Sequence, residues 1–135
     1  MAQHEQRPIV ALIYDFDGTL SPGNMQEYDF IPAVGKSNRE FWQESNRYAE
    51  EQDADPILVY MYRMLHEAKS SGKSLRYEAF VQSGARIGLY DGVREWFSRI
   101  NAYGASKGLE IHHFINSSGL REMIEGTPIA HEFRK

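Results

Sequence analysis

Hydrophobic positions occur in one uninterrupted, uncharged run near the start of the chain, from Ile9 to Tyr14. A short run rich in β-branched residues predicts a strand that is buried on both faces, as in a parallel sheet. Residues 109–116 (LEIHHFIN) predict a second strand. Because a long crossover joins the two segments, the strands must be parallel if they pair.

Between these strands the hydrophobic positions recur at helical spacing, which predicts helices only. Ser37 and Glu40 have the spacing of a capping box, so a helix should begin directly after Ser37. Asp55 followed by Pro56 predicts the clearest helix start, and Gly72 lies where that helix should end. Further helices are predicted over residues 25–34 with an interruption at Pro32, 75–85, 93–103, 120–126 and after Thr127.

Two carboxylates, Asp15 and Asp17, come directly after the first predicted strand. Carboxylates at the end of a buried strand must be paired, solvated or bound to metal, and this end of an α/β sheet is where ligands bind. Gly18 permits a tight turn with positive φ behind them. A structural turn and a calcium loop are the alternatives, although Leu20 stands where a calcium loop needs glycine.

Two segments carry a family resemblance. DFDGTL, Asp15 to Leu20, resembles the first motif of the haloacid dehalogenase-like (HAD) hydrolases, and FINSSGL, Phe114 to Leu120, resembles their second motif. Ser117 aligns best with the hydroxyl residue of that second motif, and Ser118 is the alternative. The long helical connection resembles the cap of HAD phosphatases of the phosphoserine-phosphatase type. The implied fold is α/β, a partial HAD Rossmann-like parallel sheet with an inserted helical cap, with a core at residues 1–22 and 91–135 and the cap at 23–90.

The resemblance also implies a reaction, the Mg²⁺-dependent hydrolysis of a small phosphomonoester through an aspartyl-phosphate. Asp15 would be the nucleophile, and Asp17 would protonate the leaving alkoxide and then deprotonate water. Mg²⁺ would be bound by the Asp15 side chain and by the backbone carbonyl of Asp17. Phosphate would be bound by Ser117, Ser118, Gly119 and Gly18. A serine that only caps the following helix is the plain alternative for Ser117.

Two later motifs of the family, a lysine and a pair of acids after another strand, have no counterpart beyond Gly119. We therefore expect a truncated HAD-like hydrolase that is inactive as this fragment, because each lost stabilising group typically costs ~10²–10³ in rate. The first strand would also have an unpaired edge. We expect that edge to be covered by a second copy in a homodimer, by a swapped segment or by an irregular segment.

Composition limits the alternatives. The chain has 135 residues, the size of one ordinary domain, and its net charge of −4 gives no basic field for nucleic acid or membrane surfaces. It has no cysteine, which excludes disulfides and thiolate metal sites.

His112 and His113 are adjacent on a predicted strand, where neighbours point to opposite faces, so a structural role is expected. With no signal peptide or membrane span in the sequence, we expect a cytoplasmic protein. The alternative function is a non-catalytic phosphate- or metal-binding module, or a protein-interaction module.

Overall fold

The computed structural model describes residues 7–134, and within that range the protein is a mixed α/β structure with a two-stranded sheet. The ends of the predicted core, residues 1–6 and 135, lie outside the described residues. In chain order the elements are β1 (Ile9–Tyr14), a 3₁₀ helix (Met25–Glu27), α1 (Phe30–Ala33), α2 (Asn38–Gln52), α3 (Pro56–Ser71), α4 (Tyr77–Gly84), α5 (Val93–Ser106), β2 (Glu110–Ile115), α6 (Arg121–Glu125) and a 3₁₀ helix (Ala130–Glu132).

The two strands pair in parallel along their full length. The register runs from Ile9 opposite Glu110 to Tyr14 opposite Ile115. Beyond the strands, the N–H of Asn116 donates to the Tyr14 carbonyl at 2.9 Å. Both predicted strands and their parallel pairing are therefore confirmed, the second strand to within one residue at each end.

Helix α5 covers one face of this sheet. Phe97 of α5 is fully buried, and its ring meets that of Tyr14 edge-on with centroids 5.8 Å apart. Further along the helix, a Cβ added at Gly104 would lie 2.5 Å from the Ile111 side chain. The helix therefore lies close against the strands where glycine leaves room for it.

The opposite face of the sheet is open among residues 7–134. Ile9 is 52% exposed and Ile13 is 67% exposed, although both belong to the apolar run. The prediction that β1 is buried on both faces is wrong for this part of the chain. The physical reason is that, within residues 7–134, α5 packs on one face of the two strands, so side chains of β1 that alternate away from α5 face solvent.

The two histidines lie on opposite faces of β2, as the alternation predicted. His113 is 3% exposed, and its ring nitrogens lie 2.9 Å from the Tyr14 hydroxyl and 2.8 Å from Asn101 Oδ1. His112 instead contacts the Glu110 carboxylate. Burial lowers the pKa of His113, which fits a neutral ring in the core.

Local capping sets the helix boundaries between the strands. Ser37 Oγ accepts from the Glu40 N–H at 3.2 Å, and the Glu40 carboxylate accepts from the Ser37 N–H at 2.9 Å. Asp55 caps α3 by accepting two backbone N–H bonds, and Gly72, which has φ 74°, follows the last residue of α3 as its C-cap. Both predicted helix starts are confirmed. The predicted interruption at Pro32 is wrong, because α1 includes this residue.

One hydrophobic cluster joins residues from both predicted domains. Its fully buried members include Phe16, Phe30, Phe41, Phe97 and Met123. A shared cluster means that residues 23–90 pack directly on the strand-bearing part, while the division into core and cap stays a prediction. Across residues 7–134, none of the helices has both the length and the apolar character needed to span a membrane.

Candidate functional site

A tight turn follows β1 and fixes the two acids at the end of the sheet. Phe16, between the acids, is fully buried, and its carbonyl accepts N–H bonds from Thr19, Leu20 and Ser21 at 2.9–3.2 Å. Gly18 has φ 78°, and its N–H donates to the Ser21 carbonyl at 2.7 Å. The positive φ expected at Gly18 is thus present, and the buried Phe16 anchors the segment that bears both carboxylates.

The two carboxylates have different surroundings. Asp15 is exposed, and its Oδ1 accepts the Phe16 N–H at 2.9 Å. Asp17 is half-buried, and its Oδ1 accepts the Met25 N–H at 2.9 Å. The Oδ2 atom of each acid therefore makes no hydrogen bond within residues 7–134, and Asp17 faces the helical segment.

The surroundings of Asp17 shift its ionisation towards neutral pH. Burial raises the pKa of Asp17 to about 6, and the negative charges of Asp15 and Glu27 act in the same direction. The hydrogen bond from the Met25 N–H opposes this shift but does not cancel it. A carboxyl with a pKa of about 6 can both give up and take a proton near neutral pH, as a general acid–base must.

A cavity of about 180 Å³ adjoins Asp17. The loops after β1 and β2 contribute three of the residues that line it, Asp17, Ser118 and Gly119. Residues 23–90 contribute the rest of the wall, including Gln26, Trp42 and Tyr60. Parallel pairing thus places the predicted second motif beside Asp17, because both segments leave the sheet at its carboxyl end.

Ser117 does not line this cavity. Its Oγ accepts a hydrogen bond from the Gly119 N–H at 3.0 Å. Ser117 instead lines a separate cavity of about 310 Å³, together with Arg121 and Phe133. Although that cavity is larger, neither Asp15 nor Asp17 lines it. The structure therefore places Ser118, the alternative residue in the alignment, next to Asp17.

Backbone groups around Gly119 are already engaged. The Leu120 N–H lies 3.1 Å from Met25 Sδ, and a Cβ added at Gly119 would lie 2.1 Å from Met25 Cε. Ser117 does not cap α6, which begins at Arg121 without a side-chain cap. A phosphate group bound here would have to take over the Gly119 N–H from Ser117.

Tyr60 joins the helical segment to the loop after β2. Its hydroxyl donates to the Ser118 carbonyl at 2.7 Å. Burial raises the pKa of Tyr60, the charge of Asp17 adds to this effect, and a contact with the Gln26 side chain opposes it. Gln26 could not be recognised as a site residue from the sequence, since a lone glutamine near a turn gives no signal of its burial.

The carboxylates offer a small donor set for a metal ion. Among residues 7–134, no group of three or more His, Asp or Glu side chains is arranged to hold a metal. The nearby Glu27 carboxylate accepts from the Trp42 indole at 2.7 Å and from the Asn24 amide at 2.9 Å. Asp15 and Asp17 remain, and Mg²⁺ is commonly bound by one or two carboxylates together with waters and a substrate phosphate. The residues present suit such an ion.

The chain is 34% identical over 137 residues to a protein of Borreliella burgdorferi described as "Uncharacterized protein". The match covers 94% of this chain and 48% of the relative, so the chain spans about half the length of the curated relative it matches. No protein-family model matches the chain. No solved structure matches it.

Proposed function

We propose that this chain is part of a HAD-like phosphatase, with a partial Rossmann-like sheet and residues 23–90 as its cap. Its reaction is the Mg²⁺-dependent hydrolysis of a small phosphomonoester through an aspartyl-phosphate. One observation supports this most strongly: Asp17, two residues after Asp15 at the end of β1, shares a cavity with Ser118 from the loop after β2.

The two acids divide the chemistry according to their surroundings. Asp15 is exposed, so an oxygen of its carboxylate attacks phosphorus while the bond from phosphorus to the leaving oxygen breaks. Asp17 gives its proton to that leaving oxygen. In the second step Asp17 takes a proton from water, the water oxygen attacks phosphorus, and Asp15 leaves as a free carboxylate.

Mg²⁺ would supply positive charge between the phosphate and the carboxylate that attacks it. The Asp15 side chain and the Asp17 backbone carbonyl would hold it. Ser118 would donate its hydroxyl to a phosphate oxygen, with Ser117, Gly119 and Gly18 as backbone or hydroxyl donors around it. For Gly119 this requires that its N–H leave Ser117 Oγ, which now lies 3.0 Å away, and for Gly18 that its N–H leave the Ser21 carbonyl, 2.7 Å away.

Low turnover by this chain alone is part of the proposal. Among the described residues that line the cavity there is neither Lys nor Arg, so no side-chain cation there neutralises a phosphate group. One absent stabilising group typically lowers the rate by ~10²–10³. The same observation favours a second candidate, a module that binds phosphate or metal without catalysis.

Trapping with beryllium fluoride and Mg²⁺ separates the two candidates. We expect an adduct on Asp15, seen as a protein-bound signal in ¹⁹F NMR and lost in Asp15→Asn. Asp91→Asn, at an exposed aspartate in the turn before α5, is the matched control and should keep the signal. Phosphate or Mg²⁺ binding with no Asp15-dependent adduct would contradict the phosphatase and support the non-catalytic module.

Hydrolysis of p-nitrophenyl phosphate separately tests the expectation that this chain alone has low activity. The 135-residue chain should show little hydrolysis with Mg²⁺. Robust hydrolysis that Asp15→Asn abolishes would show that the chain needs no further motif, while it would support Asp15 as the nucleophile.

A further inference from the structure

The Gln26 side chain has a buried hydrogen-bond acceptor with no donor among the described residues. The residue is 2% exposed and lines the cavity beside Asp17. Its Oε1 is buried and accepts no hydrogen bond from residues 7–134. Buried amide oxygens in native proteins almost always have a donor, because leaving one unpaired costs free energy. A donor from outside this set of residues would remove that cost.

The other end of the Gln26 amide has a partner. Its contact with the Tyr60 side chain opposes the burial that raises the pKa of Tyr60, which is the direction expected when an amide N–H donates to the phenol oxygen. The Tyr60 hydroxyl itself donates to the Ser118 carbonyl, so it is not free to serve Oε1. The Gln26 Oε1 atom is therefore the buried amide atom that lacks a partner among residues 7–134.

The rest of the cavity wall limits which donor fits. Asp17 contributes a carboxyl group, and Trp42 and Tyr60 contribute aromatic surface. The Glu27 carboxylate, next to Gln26, adds negative charge that acts on Asp17. Since the described lining has no Lys or Arg, a second anionic group on a ligand would be repelled there. A neutral or cationic group with N–H or O–H bonds suits this wall.

We infer that Gln26 Oε1 accepts a hydrogen bond from the alcohol part of the substrate. This inference rests on the proposed function, and it specifies the substrate class. The substrate is a small phosphomonoester whose alcohol has a second donor, an ammonium or a hydroxyl group, and no carboxylate. A cavity of about 180 Å³ suits a small alcohol beside Asp17. Gln26 is thus a specificity residue on the cap side of the site.

Matched esters test this inference in the unmodified 135-residue chain. Isothermal titration calorimetry with Mg²⁺ compares O-phosphoethanolamine, glycerol 1-phosphate, n-propyl phosphate and phosphoglycolate. n-Propyl phosphate has the same number of heavy atoms as phosphoethanolamine but lacks the second donor. We expect at least one donor-bearing ester to bind about tenfold more tightly than n-propyl phosphate, a ratio within the range expected for one net hydrogen bond. Phosphoglycolate should bind most weakly. Comparing O-phosphoethanolamine with glycerol 1-phosphate shows whether the donor is an ammonium or a hydroxyl group.

The variant Gln26→Met keeps side-chain length and removes the acceptor. It should abolish the difference between donor-bearing esters and n-propyl phosphate. Gln43→Met, at an exposed glutamine on α2, is the matched control and should keep that difference. If Gln26→Met does not fold, NMR of the unmodified protein replaces it. The Gln26 side-chain amide signal should shift with the donor-bearing ester and not with n-propyl phosphate.

Failure of the inference differs from failure of the proposed function. Equal binding of all four esters, together with a beryllium fluoride adduct on Asp15, would overturn the role of Gln26 and leave the phosphatase proposal intact. Preference for phosphoglycolate would overturn the inferred substrate class. Absence of both ester binding and the Asp15 adduct would overturn both.

Discussion

The hydroxyl of Tyr60 donates a 2.7 Å hydrogen bond to the backbone carbonyl of Ser118. Tyr60 belongs to α3, whereas Ser118 lies in the loop after β2, 58 residues further along the chain. Tyr60 is 6% exposed, and its ring meets that of Trp42 edge-on with centroids 5.9 Å apart. The bond therefore holds the loop beside Asp17 at a fixed distance from the helical segment that forms the other cavity wall.

Tyr60→Phe should destabilise the protein by about 1 kcal/mol, because it removes one hydrogen bond and leaves the Ser118 carbonyl without that donor. Urea denaturation followed by circular dichroism measures the change in the free energy of unfolding. Tyr62→Phe is the control, since Tyr62 lies on the same helix and is 51% exposed. Equal stability of the Tyr60 variant and the unmodified protein would show that the bond contributes nothing.

Asp17→Asn should stabilise the protein, and more so at neutral than at acidic pH. Burial raises the pKa of Asp17 to about 6 in the folded state, so the folded protein binds this proton more tightly than the unfolded chain. The stability contribution of Asp17 therefore falls as pH rises from about 4 to about 6. Asparagine cannot ionise, and its side-chain oxygen can still accept the Met25 N–H.

The check is the difference in unfolding free energy between Asp17→Asn and the unmodified protein, measured at pH 4.5 and pH 7.5. Taking this difference removes the pH dependence of all other groups that the substitution leaves alone. Asp91→Asn controls for the loss of one negative charge. A gain at pH 4.5 as large as that at pH 7.5, or a loss of stability at pH 7.5, would contradict the raised pKa.

Local chemistry made much of the fold predictable. The capping box at Ser37 and Glu40 and the cap at Asp55 depend on residues within three positions of each other. Such bonds join residues that are close together in the sequence, so both helix starts were predicted correctly. The parallel pairing of β1 and β2 followed from their long connection.

Burial was predictable only in part, because it depends on which elements meet. Ile57 and Leu65 are apolar residues at helical spacing in α3, yet they are 39% and 40% exposed, while Val59 and Tyr60 are buried. The face of α3 that packs is selected by its neighbours α2 and the loop after β2, which a helical period cannot identify. For the same reason, the buried position of Gln26 gave no signal in the sequence.

Gly84→Ala should destabilise the protein by about 1–3 kcal/mol, the usual cost of forcing extra atoms into a packed site. A Cβ at this position in α4 would lie 1.9 Å from the Met123 carbonyl oxygen of α6. Backbone cannot move aside as a flexible side chain can. Gln82→Ala, at an exposed position of the same helix, should change the free energy of unfolding by less than about 0.5 kcal/mol.

Gly126 offers an independent test of the same contact. A Cβ added there would lie 1.9 Å from the Val81 carbonyl oxygen, so Gly126→Ala should destabilise the protein to a similar extent. The two sites share one helix contact, so the double variant should cost less than the sum of the single costs. Full additivity, or neutral single variants, would mean that α4 and α6 do not approach this closely.

The open side of β1 leads to the last prediction. Within the described residues β1 pairs with β2 alone, so one strand edge has unpaired backbone groups, and Ile13 beside it is 67% exposed. An apolar strand with a free edge can pair with another copy of itself. We propose that the chain forms a homodimer through this edge, with the Ile13 side of the sheet covered in the contact.

Sedimentation velocity over a dilution series tests this dimer through Ile13→Lys. A lysine on the exposed face of an edge strand is expected to weaken self-association, because pairing would bring two like charges into an apolar contact. The expected effect is at least a tenfold increase in the dimer dissociation constant. Leu58→Lys is the matched control, since Leu58 is also 67% exposed but lies on α3. A monomer at every concentration, or equal weakening by both variants, would show that β1 does not form the interface.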